Sequence, residues 1–109
     1  MPLVEPLKRA AIIVRDLERS LAFYRDTLGL ETWVQGECGP DNAHFARLLG
    51  LPPGATRFVI LRSGDTMLGM VGLFEVRAPD IDAVSFAQPE RVHRGEVALV
   101  FHKIRRAHV

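Results

Sequence analysis

The side chains able to do chemistry in this sequence are few and scattered. Its histidines are His44, His93, His102 and His108, and its one cysteine is Cys38. A metal centre needs several His, Cys or carboxylate donors converging on one point, and no tight His/Glu or Cys/His spacing occurs here. Cys38 and His44 are too loosely spaced to suggest a nucleophile with its base. Gly50-Leu51-Pro52-Pro53-Gly54 is a turn and not a phosphate cradle, because no lysine-serine sequel follows it. Asp16, Ser20 and Tyr24 have ordinary structural employment as helix cap, outward position and core residue.

The 109 residues suit one domain, with 48% apolar and 25% charged side chains, the balance of a soluble globular fold. A formal charge of +1 gives no electrostatic grip on nucleic acid. The nearest basic cluster, His102, Lys103, Arg105, Arg106 and His108, reads as a solvated face. A single cysteine excludes an intrachain disulfide and favours a reducing compartment. The N-terminus carries Glu5 and no long apolar run, so it does not read as a secretory signal. No stretch approaches the ~18 apolar residues of a spanning helix. A cytoplasmic protein with no membrane contact is expected.

The elements that would position any site follow from local pattern. Arg9 to Val14, RAAIIV, reads as a strand. Asp16 is placed to cap a helix whose face is Leu17, Leu21, Tyr24 and Leu28, widened by Phe23 and stopped by Gly29. Leu30 to Val34 is extended, and Gly36 to Pro40 reads as a loop. Asp41 opens a short helix through Phe45, Leu48 and Leu49. Arg57 to Arg62 is a second strand, Ser63-Gly64-Asp65 a turn, and Thr66 to Val76 an antiparallel return, with Gly69 and Gly72 as places for a bulge or close approach. Residues 77–94 read as a linker, and Gly95 to His102 as a further strand. The expected core joins the helix face to Ile13 and to Phe58 or Ile60.

The passage from Ile12 to Leu30, with its Asp16-Leu17 step, Ser20, Phe23-Tyr24 pair and Leu28-Gly29-Leu30 exit, resembles the opening of glyoxalase/bleomycin-resistance/extradiol-dioxygenase proteins, the vicinal-oxygen-chelate superfamily. Arg57 to Glu75 resembles that family's second strand pair, and Gly95 to Phe101 the strand opening its second module. The resemblance implies an α+β fold: a βαβββ module with a mixed, curved sheet over residues 8–76, a linker over 77–94, and an incomplete second module over 95–109. It leaves the reaction open, since the family spans isomerases, epimerases, thiol transferases, ring-cleaving dioxygenases and drug-binding proteins.

Metal-dependent members hold their ion on the inner face of the sheet. The resemblance puts the first ligand, usually histidine, at Arg9, the second at Gly72 and the third at Glu96. Arginine stays protonated and offers no lone pair, and glycine has no donor, which leaves Glu96 as the matched candidate. Glu75 lies three residues beyond Gly72, hence on the opposite face of a regular strand, and reads as a solvated strand-end residue. Glu96 reads equally as a pocket carboxylate or a sheet-surface residue.

Two functions are therefore weighed. The first is a metal-free protein that binds a small organic ligand in a sheet-lined cleft, with Arg9, Arg57 and Glu96 as polar groups and Trp33 and Phe45 as stacking area. The alternative is a divalent-metal-dependent lyase, isomerase or dioxygenase in which Glu96 serves as ligand or proton acceptor. The metal-free reading is preferred, with no cofactor expected. A lone module would expose strand edges and apolar surface, so a homodimer is expected, with Val97, Leu99 and Phe101 at its interface or exchanged between subunits.

Overall fold

The computed structural model describes residues 1–38, 56–76 and 97–102. Strand β1 (Arg9–Val14) leads into helix α1 (Leu17–Leu21), which continues as a π-helical segment over Ala22–Thr27. Strands β2 (Glu31–Cys38), β3 (Thr56–Arg62) and β4 (Met70–Val76) follow. They form one sheet in the order β1-β4-β3-β2. β1 runs parallel to β4, whereas β3 is antiparallel to both of its neighbours. This is the mixed βαβββ module expected from the sequence. The expected short helix after Asp41 and the linker over 77–94 lie outside the described residues.

The helix start obeys its signal. Asp16 has extended backbone, and its Oδ1 accepts from the Arg19 amide at 3.1 Å. Beyond Leu21 the hydrogen bonding widens. The Leu28 amide donates to the Phe23 carbonyl at 2.9 Å, and the Thr27 hydroxyl donates to the Ala22 carbonyl at 3.0 Å. Gly29, at a φ of 80°, then closes the segment, while the Leu30 amide reaches back to the Tyr24 carbonyl. The widened turn takes the last residues off the α-helical stripe. Leu17 and Leu21 are buried and Tyr24 half-buried, but Leu28 is 44% exposed. The expected four-residue face is therefore kept through Tyr24 and lost at Leu28.

The core between α1 and the sheet is built from Leu17, Leu21, Val59, Leu61, Val71 and Leu73, with Ile12, Val14, Tyr24, Leu30 and Leu99 packed against it. This corrects the expected sheet partners by one residue. Ile12, not Ile13, faces the helix from β1, and Val59 and Leu61, not Phe58 or Ile60, face it from β3. Ile13 is 41% exposed. Two further boundaries differ. β2 continues to Cys38 through the expected loop start, because Gly36 and Glu37 pair with Phe58 and Arg57. The return strand begins only at Met70, after a Ser63–Thr66 turn whose amide-to-carbonyl bond measures 3.2 Å. The described part of the expected last strand, residues 97–102, forms no strand.

Buried Leu21 and half-exposed Leu28 should separate sharply on truncation. Leu21→Ala is expected to cost about 2–5 kcal/mol, and Leu28→Ala less than about 1 kcal/mol. Urea unfolding at fixed protein concentration checks this, and equal losses would contradict the π-helical ending.

Candidate functional site

Strand alternation divides the chemistry of this chain between the two faces of the sheet. On the face opposite α1, the registers Arg9↔Met70, Ala11↔Gly72, Ile13↔Phe74, Phe58↔Phe74, Ile60↔Gly72, Val34↔Ile60 and Gly36↔Phe58 bring together one continuous surface. Ile60, Met70 and Phe74 are buried there, Arg9, Phe58 and Arg62 are half-buried, and Ile13 and Val34 lie exposed at the margins. Phe58 and Phe74 stack with centroids 5.5 Å apart and planes 24° apart. Each ring also lies over a glycine. A Cβ on Gly36 would meet Phe58 Cζ at 3.4 Å, and one on Gly72 would meet Phe74 Cε2 at 2.8 Å. Aromatic side chains thus fill the gaps that two strand glycines leave.

The helix-side face carries the charge. Glu75 is only 5% exposed, and its Oε2 accepts the Leu17 amide at 2.8 Å. Arg57, its partner across the β3–β4 pair, donates from Nε to Oε1 and from Nη2 to Oε2, both at 3.1 Å. Glu18 adds a longer contact of 3.7 Å to Arg57 Nη1. The hydrogen bonds Arg57 donates to Glu75 push its guanidinium above the usual arginine range; burial opposes them, and the charges of Glu75, Glu18 and Glu37 add smaller upward effects. Glu75 is therefore a paired, buried carboxylate. This corrects its reading as a solvated strand-end residue, although its face was read rightly as the one opposite Gly72.

Among the described residues of the sequence-derived site, Arg9 and Arg57 lie on opposite faces of the sheet. Arg9 belongs to the face opposite α1 and Arg57 to the helix face, where Glu75 holds it. Trp33 is half-buried in β2, between Thr32 and Val34, where the register shifts against β3. Phe45 and Glu96 lie outside the described residues. Sequence reasoning gave no site role to Glu75, Phe58 or Phe74. The signal was present for the last of these, since Gly72-Leu73-Phe74 sets a bare position and a ring two residues apart on one face.

Clefts among the described residues include two on the helix side. One, of about 600 Å³, lies beside β1 and is lined by Ala10, Ala11, Ile12, Phe23, Tyr24, Leu28, Val97, Leu99 and Phe101. The other, of about 290 Å³, has mixed walls that include Glu18, Arg25, Gln35, Glu37 and Arg57. Neither includes Arg9 or Trp33.

Comparison with known proteins gives one match. The family described as Glyoxalase/Bleomycin resistance protein/Dioxygenase superfamily matches residues 7–102. No curated protein and no solved structure matches the chain. The metal that many members of such a family hold does not suit the described ligand positions. Arg9 has no lone pair to give where the resemblance puts the first donor. At Gly72 the Phe74 ring occupies the space that any side chain would enter.

Replacing Glu75 with Gln keeps its shape and one acceptor but removes the charge facing Arg57. The expected loss is about 1–3 kcal/mol. Arg57→Met added to it should cost little more, because the pair acts as one unit. The raised arginine value keeps the cation's contribution fully present below the ordinary arginine range and loses it only above that range. The Arg57 titration therefore adds no pH dependence near neutrality. Additive losses in chemical denaturation of the two single variants and the double variant would show that the pair is not coupled.

Proposed function

Since the chain belongs to the glyoxalase/bleomycin resistance protein/dioxygenase superfamily, we propose that it binds a small organic molecule against the sheet face opposite α1, without a metal, as a homodimer. The observation that carries this reading is the pair of residues at the first two ligand positions on that face: the half-buried Arg9 and the donorless Gly72. A guanidinium suits an anion or carboxylate, to which it gives a planar fork of N–H donors. Phe58, Ile13 and Val34 offer apolar contact around it. Trp33 and Phe45 would add stacking area, and Glu96 a carboxylate. Arg57 leaves this set because Glu75 holds it on the other face.

The dimer follows from the edge of the sheet. β1 is the outermost strand on its side of the described sheet, and an unpaired edge invites another strand. Val97 and Val100 are 83% and 90% exposed, and Val97, Leu99 and Phe101 line the cleft beside β1. Apolar surface of this kind favours association, and two-fold closure is its commonest form. The lone Cys38 accords with a cytoplasmic setting.

Three measurements test the proposal. Calorimetric titration with zinc, nickel or manganese should give no stoichiometric binding; a one-to-one site would sink the metal-free reading. An anionic aromatic dye, anilinonaphthalene sulfonate, should bind the native protein and lose at least tenfold in affinity on Arg9→Glu. Unchanged affinity would remove Arg9 from the ligand face. Sedimentation over the micromolar range should show a dimer, and a persistent monomer would refute the assembly.

A further inference from the structure

We infer that Phe74 is the residue that closes the family's second ligand position, so that a side chain at position 72 is disfavoured while this ring is present. The inference rests on the metal-free reading and supplies its physical cause. Gly72 and Phe74 are two residues apart in β4 and therefore share the face opposite α1. Phe74 leans back along its own strand, and its Cε2 lies 2.8 Å from where a Cβ on residue 72 would stand, with Cζ at 3.5 Å. Real Cβ atoms essentially never come so close to a ring carbon, so one of the two must move. The ring has little room to do so. Phe74 is 1% exposed and stacked against Phe58, which is itself seated over Gly36. From the far side, the Ala10 carbonyl oxygen approaches the same point at 3.6 Å.

The consequence goes beyond the absence of a donor. A metal-ligating glutamate or histidine at position 72 would have to pass through the space that the ring fills. Restoring a ligand there thus requires removing Phe74 first. The ring and the glycine form one buried packing unit.

Ordinary propensity predicts the opposite sign for the simplest test. Alanine in a strand interior is normally more stable than glycine. Here Gly72→Ala is expected to lower the melting temperature by about 4–8 °C. In a Phe74→Leu background the same change should be neutral or raise it. Gly36→Ala, whose Cβ would sit at 3.4 Å from Phe58, serves as a control and should change little. Stabilisation by Gly72→Ala in the native background, or an equal loss in both backgrounds, overturns the inference. A second arm uses Co²⁺ alone as probe. Arg9→His with Gly72→Glu should bind it no better than native protein while Phe74 remains, and a stoichiometric site formed beside an intact Phe74 would also overturn the inference. Stoichiometric Co²⁺ on the native protein, with the reversal in melting intact, would defeat the functional reading yet uphold the role of Phe74.

Discussion

The Glu75 carboxylate is the point on which the module turns. It sits in the interior near the end of β4, where an uncompensated charge would be strongly unfavourable. Its neighbours supply what is needed: the first helical amide at Leu17 and the two-pronged guanidinium of Arg57. Those partners come from α1 and β3, so one side chain ties together three elements distant in sequence. The arrangement also fixes parity. A one-residue slip of β4 would turn the carboxylate away from α1 and reverse every side chain of the strand. With Glu75 held, Val71 and Leu73 face the helix, and Met70, Gly72 and Phe74 face the other way.

That division decides what the opposite face can be. The helix side absorbs Arg57 and the carboxylates around it. The other side keeps its cations at the margins, with Arg9 on β1 and Arg62 on β3, around a centre of Ile60, Met70 and the two stacked rings. Aromatic rings do double service there. They bury their own area, and they cover the backbone that Gly36 and Gly72 would leave bare, a known remedy for glycine in strands. In this family the same kind of surface carries metal ligands in other members. Here its central row is committed to packing.

Much of the fold was legible in the sequence, because each signal had one local cause. Asp16 capped the helix, Gly29 ended it, and RAAIIV and RFVILR became β1 and β3. Facing was harder to read for the same reason that the strands were easy. Both runs are apolar at odd and even positions alike, so alternation gave no vote between Ile12 and Ile13 or between Phe58 and Val59. The deciding marks were the charged residues Arg57 and Glu75, which pair across β3 and β4 and therefore share a face. Read singly, each looked like a strand-end or pocket residue. The π-helical ending was not legible, since Leu28 keeps α-helical spacing while its amide bonds to Phe23. The apolar run at 97–101 looked like a strand, but apolarity alone supplies no hydrogen-bonding neighbour.

A guanidinium and a metal ion do different work on such a surface. A bound cation acts by polarising an oxygen and stabilising charge as a bond breaks. A guanidinium at the edge of an apolar face acts mainly through recognition, by orienting an anion with charge-assisted hydrogen bonds. Such a bond contributes about 1.5–3 kcal/mol net, and each 100 Å² of apolar ligand surface covered adds about 2.5 kcal/mol. Against these stands the loss of translational and rotational freedom on binding, itself several kcal/mol. A small molecule contacted on one side only is therefore held weakly. Enclosure alters the balance, because it covers the ligand's second side and weakens the water that competes for Arg9. β1 is the outermost strand on its side of the described sheet, and in the proposed dimer that edge and the apolar residues beside it are where the enclosing subunit attaches. In the proposed dimer, assembly and ligand binding would be one property of the module, and each should strengthen the other.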